Sequence, residues 1–199
     1  MVKVDLHVHC SERSGCAVTP EEEQVKAAVA AGLDGIVFTD HYKLPDPQRL
    51  AALNRKYAPF KIYGGIEITA DDEDWLVIGV PDPGLERMDW QYPELYAHVR
   101  ARGGFLVLAH PFRYRPKILA DIDRFPPDAI EVHSHNTPPA FEAEIRAIAE
   151  RLKLALLSNS DAHAAKSLGA YYNELPGTLD GESGLVECLF GLKDRPYGI

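Results

Sequence analysis

The sequence predicts an α/β fold of about seven β–α units with mainly parallel strands, closed or nearly closed into a barrel. Short apolar runs alternate along the chain with amphipathic stretches, as expected where each strand is followed by a helix. The chain has 199 residues, 46% of them hydrophobic, which suits a single domain with a sizeable core. Most histidines directly follow predicted strands, and a barrel gathers its strand ends at one face.

The first half of the chain alternates strands and helices regularly. Val2–Val8 alternates apolar and polar residues and predicts the first strand. Thr19 can cap a helix and Glu22 completes a capping box, so we expect a helix to about Ala31 that ends at Gly32. The next predicted elements are a buried strand at Gly35–Thr39, a helix from Asp46-Pro47 to about Tyr57, and strands at Phe60–Thr69 and Trp75–Val80.

The second half continues the same alternation. A helix at Tyr92–Arg102 ends at two glycines and is followed by a wholly apolar strand at Phe105–Ala109. The remaining predicted elements are strands at Ala129–Val132 and Leu154–Leu157, a long helix at Pro138–Leu152 between them, a late strand within Ala170–Leu175, and a last helix at Gly184–Leu192.

Charge and composition limit the partners and the compartment. The formal net charge of −9 argues against a long nucleic-acid groove, which needs a basic surface, but allows a small phosphorylated substrate. Three cysteines make no disulfide framework, and polar residues from Lys3 onward interrupt any signal peptide. No apolar run approaches the roughly 20 residues that span a bilayer. We expect a cytoplasmic protein without membrane contact; the sequence indicates no oligomeric state.

Six of the eight histidines lie at or just after the end of a predicted strand, and two carboxylates lie at similar positions. A single His-x-His pair would be weak evidence, but so many polar groups at successive strand ends would be costly to bury without a shared role, at roughly 1–3 kcal/mol each. Imidazole and carboxylate together suit zinc, manganese or iron. The set therefore predicts two or three divalent ions bound by His7, His9, His41, Glu67, His110, His133, Asp161 and His163.

The motifs that carry these residues resemble, in their order, the PHP family of polymerase and histidinol phosphatase domains. The matching segments are Asp5–His9, Thr39–His41, Gly65–Ile68, Ala109–Pro111, Glu131–His133 and Ser160–His163, followed by Tyr171–Leu175 near the end. The resemblance implies one PHP-like domain over residues 1–199 and a distorted, TIM-like barrel of seven β–α units with a trinuclear metal centre. It also implies hydrolysis of a small phosphorylated metabolite or nucleotide by metal-bound hydroxide.

The resemblance assigns the ligands to ions by position. Grouped by ion, they are His7, His9 and Asp161 for the first, Glu67 as a bridge with His110 and His133 for the second, and His41 with His163 for the third.

The loop at residues 10–16 departs from the family pattern. Relatives commonly carry an Asp or His ligand there, and the equivalent position in this chain is Gly15. We therefore expect the third ion to be weak, absent, or completed by substrate phosphate, water or Glu12. Cys10 and Cys16 are close enough to consider as thiolate ligands, but ordinary loop residues are the favoured interpretation.

A phosphate substrate also needs cationic donors and groups that move protons. Arg113, Arg13 and Lys43 lie in loops on the predicted active face and are candidate substrate contacts. Asp40 and Asp161 are candidates for assisting proton transfer. Two alternatives stay open: an amidohydrolase-like metal hydrolase of C–N or C–O bonds in a similar barrel, and a metal-stabilised regulatory domain without turnover.

Overall fold

The computed structural model describes residues 1–178 and 180–192 of the chain. Within these residues it contains eight strands and five α-helices. The strands are β1 (Val2–Val8), β2 (Gly35–Phe38), β3 (Lys61–Ala70), β4 (Glu73–Ile78), β5 (Phe105–Leu108), β6 (Ala129–His133), β7 (Ala155–Ser158) and β8 (Asn173–Leu175). The helices are α1 (Glu21–Ala30), α2 (Pro47–Tyr57), α3 (Tyr92–Ala101), α4 (Glu142–Leu152) and α5 (Gly181–Phe190).

The strands form one sheet in the order β7-β6-β5-β4-β3-β2-β1-β8. The pairs among β1, β2 and β3 and among β5, β6 and β7 are parallel. β4 runs antiparallel to both of its neighbours because only two residues, Asp71 and Asp72, join it to β3. Both have positive φ, as a tight hairpin requires, so no helix fits there. The predicted α/β barrel is confirmed, and its strands depart from parallel at this hairpin and at β8, which runs antiparallel to β1.

Contacts between β1 and the segment after β7 nearly close the barrel. Val8 forms an isolated parallel bridge with Ala162, and His9 N donates to Ala162 O at 3.0 Å. Closer to the start of β1, Leu6 N donates to Asn159 Oδ1 at 3.1 Å. The first and last parallel strands thus bring their ends to the same side of the molecule.

An apolar cluster fills the barrel interior. Strands β1 to β8 all contribute to it, and Leu185 and Leu189 of α5 complete it. Phe190 of α5 lies 5.2 Å, ring to ring, from Phe105 at the start of β5. Helix α5 therefore covers the end where the parallel strands begin, and the polar side chains gather at the opposite mouth.

Two helix starts test the capping predictions. Asp46 caps α2 as expected, since its side chain accepts from Gln48 N. The expectation that Thr19 caps α1 is wrong, because Thr19 Oγ1 instead accepts from Ala165 N across the barrel seam. Glu12 takes over the capping role and accepts from the backbone N–H of Glu21, the first residue of α1, at 2.8 Å. None of the helices within the described residues is long and apolar enough to cross a bilayer.

Candidate metal centre

A β-bulge in β1 turns His7 into the barrel. Leu6 packs in the interior cluster, whereas Val8 packs among β1, β2, α1 and α2. In a regular strand these two residues would share a face. The register of β1 against β2 shifts between Asp5 and Val8, and a bulge of this kind changes which face the following residues take. Leu6 and His7 consequently both lie on the interior side although they are adjacent.

Glu67 is the centre of the site. It is 1% exposed, and its Oε2 lies 3.4 Å from His7 Nε2, 3.2 Å from His9 Nε2 and 3.0 Å from His41 Nδ1. Its other oxygen lies 3.0 Å from His110 Nε2. One carboxylate from the middle of β3 therefore touches four imidazoles from three different parts of the chain, as expected of a bridging ligand.

Asp161 faces the same point from the other side. Its Oδ1 lies 3.3 Å from His7 Nε2, 3.2 Å from His9 Nε2 and 3.3 Å from His163 Nδ1. Asp161 adopts a positive φ of 51°, and His110 one of 26°, which side-chain-bearing residues rarely adopt. Such backbone strain gathers at functional sites, where the surroundings hold it in place.

Four buried atoms at this point have no hydrogen-bond partner among the residues that the structure covers: His7 Nε2, His9 Nε2, Glu67 Oε2 and Asp161 Oδ1. The imidazole nitrogens lie 3.2–3.4 Å from the two oxygens. In a tetrahedral zinc site, the Zn–N and Zn–O distances are roughly 2.0–2.1 Å. Neighbouring ligand atoms of such a site therefore lie about 3.3 Å from one another. Orphaned buried polar atoms are costly, and divalent cations bound here would satisfy all four. The donor set therefore fits a metal ion.

The donors form three overlapping groups of potential metal ligands within the described part of the chain. They are His7 with Glu67 and His110, His9 with His41 and His163, and His7 with His9 and Asp161. A single imidazole nitrogen binds one ion at a time, so the three groups cannot all be filled together. The first two share no residue. We refer to them as the Glu67 group and the His9 group.

Burial and mutual electrostatics shift the pKa values of the clustered side chains in opposite directions. Burial alone lowers the pKa of His7, but Asp161, Glu131 and Glu67 raise it well above its usual value. Burial opposes ionisation of Glu67 too, yet the surrounding imidazoles hold its pKa well below the usual range. The pKa of His41 is lowered by burial first and by the neighbouring imidazoles of His9 and His7. The ionised carboxylates thus suit the binding of a cation.

Glu131 is a site residue whose role sequence reasoning missed. It is fully buried, and its Oε1 lies 2.9 Å from His7 Nδ1, the nitrogen that faces away from the carboxylates. Its place in the strand gave a signal, because alternation from Ala129 of the interior cluster puts Glu131 on the interior face. Ser14 was also missed: its hydroxyl donates to Asp40 Oδ1 at 2.6 Å and contacts His9 Nδ1 at 3.3 Å.

His133 does not join the cluster, contrary to its predicted place in the second ion's site. The register of β6 against β7 shifts between Glu131 and His133, so the ring turns away from the face that carries Glu131. His133 Nδ1 lies 3.0 Å from Ser158 Oγ, and its Nε2 lies 3.5 Å from Glu142 at the start of α4. The remaining seven predicted ligands are brought together.

The predicted third ion has a different set of neighbours from the one expected. Apart from the adjacent residues Ser14 and Cys16, no described atom lies within 4 Å of where a Cβ at Gly15 would be, so this position is open and carries no side chain that could bind the ion. Glu12, which we expected as a possible substitute ligand, instead accepts a hydrogen bond from the backbone N–H at the start of α1. His9 supplies the third nitrogen instead, and its ring lies 4.6 Å from that of His41 and 4.3 Å from that of His163.

The three candidate phosphate contacts differ in their surroundings. Arg113 NH1 lies 3.6 Å from Asp161 Oδ2 at the mouth of the site. Lys43 is exposed and its Nζ lies 2.6 Å from Glu86. The Arg13 side chain is only 12% exposed, and carboxylates bind both ends of its guanidinium, Asp40 at 2.7 Å and Glu21 at 2.6 Å. The geometry leaves Arg113 as the cation that touches the cluster.

Asp40, a candidate for proton transfer, is engaged by the loop at residues 10–16. It is fully buried, and its Oδ1 accepts from Cys10 N and Ser14 Oγ while Oδ2 accepts from Arg13 Nε. Its hydrogen bonds thus organise the loop at residues 10–16 rather than reach a substrate. Burial raises the pKa of the Cys10 thiol, which argues against Cys10 as a thiolate ligand.

Comparison with known proteins agrees with this barrel. Residues 142–189 match a family model described as PHP-associated. No curated protein sequence matches the chain.

Several solved structures share the fold. A Bifidobacterium adolescentis protein with the provisional name of metal-dependent phosphoesterase matches with a TM-score of 0.72 and 16% identity over 94% of this chain and 95% of that one. A two-domain Bacteroides vulgatus protein that contains a predicted PHP-like metal-dependent phosphoesterase matches with a TM-score of 0.61 and 21% identity over 81% of this chain and 52% of that one. An amidohydrolase from Chromobacterium violaceum, with bound sulfate and no metal, matches with a TM-score of 0.67 and 15% identity over 94% and 96%.

Proposed function

We propose that this chain is a metal-dependent phosphoesterase that hydrolyses a small phosphorylated molecule. It belongs to the PHP domain family, as its motifs predicted. The observation that carries the proposal is the convergence of four unpartnered buried atoms, from two histidines and two carboxylates, with an arginine beside them. These donors suit zinc, manganese or iron alike.

Two ions fit the donors better than three. The Glu67 group and the His9 group share no ligand, and each supplies three donor atoms within 4.8 Å of one another. Asp161 and Glu67 each have two oxygens and lie between the groups, so both can bridge. A pair of such ions supplies Lewis-acid stabilisation and lowers the pKa of a bound water.

The chain's own residues orient the substrate. Arg113 has a planar guanidinium that can bind two phosphate oxygens, and it lies on the Asp161 side of the cluster. Asp161 accepts from Asn136 Nδ2, which fixes its second oxygen. The net charge of −9 disfavours a long polyanion and supports a small substrate.

The test is a hydrolase screen with metal-stripped protein reloaded separately with Mn²⁺, Zn²⁺ and Fe²⁺. The panel contains phosphorylated metabolites, nucleotides, short oligonucleotides, amides and lactones. We expect phosphate release that depends on added metal, with His9→Ala and Glu67→Ala losing metal and activity together. His98→Ala is the matched control, because His98 pairs with Asp82 away from the cluster.

Four outcomes would contradict the proposal. Activity that survives full removal of metal would refute the mechanism, and three tightly retained metal equivalents would refute the dinuclear arrangement. Turnover of amides or lactones without phosphoesters would favour the amidohydrolase alternative, which has a neighbour of the same fold in its support. Metal binding without turnover on any compound would favour a regulatory domain.

A further inference from the structure

We propose that Glu131 is a positioning residue that presents two ligands, His7 and His110, to the ion of the Glu67 group. Three donors surround its buried carboxylate. His7 Nδ1 lies 2.9 Å and Asn159 Nδ2 2.7 Å from Oε1, and His110 N lies 2.7 Å from Oε2. An ionised carboxylate has no proton to donate, so it can only accept hydrogen bonds from these three neighbours.

The first contact decides which nitrogen of His7 is free. Because Glu131 accepts, Nδ1 must carry the hydrogen, and a neutral ring then has its bare lone pair on Nε2. Nε2 is the atom that faces Glu67 and Asp161. Carboxylates that hold the far nitrogen of a metal-bound imidazole fix both its tautomer and its orientation.

The second contact holds the backbone of His110. With φ at 26°, His110 is in a conformation that costs free energy and must be held by its surroundings. Its backbone N–H donates to Glu131 Oε2, and its ring Nε2 points to Glu67 Oε1 at 3.0 Å. One side chain therefore sets the presentation of two of the three ligands in the Glu67 group. In the His9 group, the corresponding contacts to His9 Nδ1 and His41 N come from Ser14.

Glu131→Gln keeps the shape of the side chain but replaces one acceptor by a donor. If the amide NH2 faces His7, the ring must accept there and carry its proton on the metal-facing Nε2. If it faces His110 instead, two N–H groups oppose each other in a buried place. Either orientation weakens the Glu67 group and leaves the His9 group unchanged.

The experiment is zinc titration of the metal-stripped protein by calorimetry against a competing chelator. For Glu131→Gln we expect one of two zinc equivalents to bind about 10–100-fold more weakly and the other to change less than about 3-fold. Asp128→Asn is the matched control: Asp128 is fully buried and accepts from Leu106 N and Arg100, but lies outside the ligand groups. It should lose stability while both zinc affinities stay within about 3-fold.

A spectroscopic signature separates positioning from a merely structural role. In ¹⁵N-edited spectra of the zinc-loaded wild type, His7 should bind zinc through Nε2 and carry a slowly exchanging proton on Nδ1. Equal weakening of both zinc equivalents in Glu131→Gln, or unchanged binding of both, would overturn the proposal. If Glu131→Gln does not fold, the wild-type spectrum still decides, because coordination of His7 through Nδ1 would overturn it.

The inference rests on the proposed metal centre but not on its substrate. Zinc binding is measured without any phosphoester, so a protein that binds zinc as described and hydrolyses nothing would refute the proposed function alone.

Discussion

Replacing Arg113 by alanine should weaken substrate binding strongly and metal binding hardly at all. The guanidinium is partly exposed, at 29%, and lies 3.6 Å from Asp161 Oδ2. It therefore has two electrostatic partners in the proposed reaction, a permanent one in Asp161 and a transient one in the phosphoryl group. The contact with the phosphoryl group affects kcat/KM, whereas the contact with Asp161 affects metal affinity, so the two contributions can be measured separately.

The expected magnitudes of the two contributions differ. A charged hydrogen bond to phosphate contributes about 1.5–3 kcal/mol, which corresponds to about 10–150-fold in kcat/KM. A partly exposed ion pair at 3.6 Å contributes only about 0.2–1 kcal/mol, or up to about 5-fold. Loss of the ion pair should also act in the opposite direction and tighten metal binding, since removing one cation near Asp161 favours binding of another cation there.

The assay measures kcat and KM for a phosphomonoester and, separately, zinc affinity. Arg113→Ala should lose about 10–150-fold in kcat/KM, and its zinc affinity should be equal to or tighter than that of the wild type. Lys43→Ala is the control, because Lys43 is exposed and paired with Glu86, and it should change kcat/KM less than about 2-fold. A loss below about 2-fold in Arg113→Ala, or a larger loss in Lys43→Ala, would refute this assignment of the phosphate contact.

Three further predictions follow from local features. The pKa of His7 is raised above 6.5, so the metal-free fold holds protons that the unfolded chain releases. Its melting temperature should fall as the pH rises above 6.5, whereas that of the zinc-loaded protein should not; parallel curves would contradict this. Ser14→Ala removes contacts to His9 and His41 and should weaken zinc in the His9 group alone, measured by the same titration. Lys153 ends α4 at φ 56°, so Lys153→Gly should raise the free energy of unfolding by about 0.5–1 kcal/mol in urea, and Lys153→Ala should not.

Sequence alone could predict the fold because hydrophobic periodicity and turn residues act locally. The strand that contains Glu67 and the strand before His110 were predicted within a residue or two, as was the helix that begins after Asp46. The direction of β4 was harder, because a parallel and an antiparallel strand have the same short apolar pattern. The two-residue Asp71-Asp72 connection was the available signal for a hairpin.

The candidate site was predictable to the extent that strand ends converge. This rule brought together His7, Glu67, Asp161 and four other ligands without knowledge of the loops. It failed for His133, because a bulge depends on pairing with β7 and leaves no mark in the sequence of β6. It could not show the ion pairs of Arg13, since the carboxylates of Asp40 and Glu21 that bind it come from other elements.

The most direct test of a metal centre in the barrel mouth is an anomalous difference map at the zinc edge from crystals of the zinc-loaded protein. We predict one peak among His7, Glu67 and His110 and a second among His9, His41 and His163, each roughly 2.0–2.1 Å from its ligating atoms. Peaks confined to other histidines, such as His98 or His133, with none beside Glu67, would contradict the account.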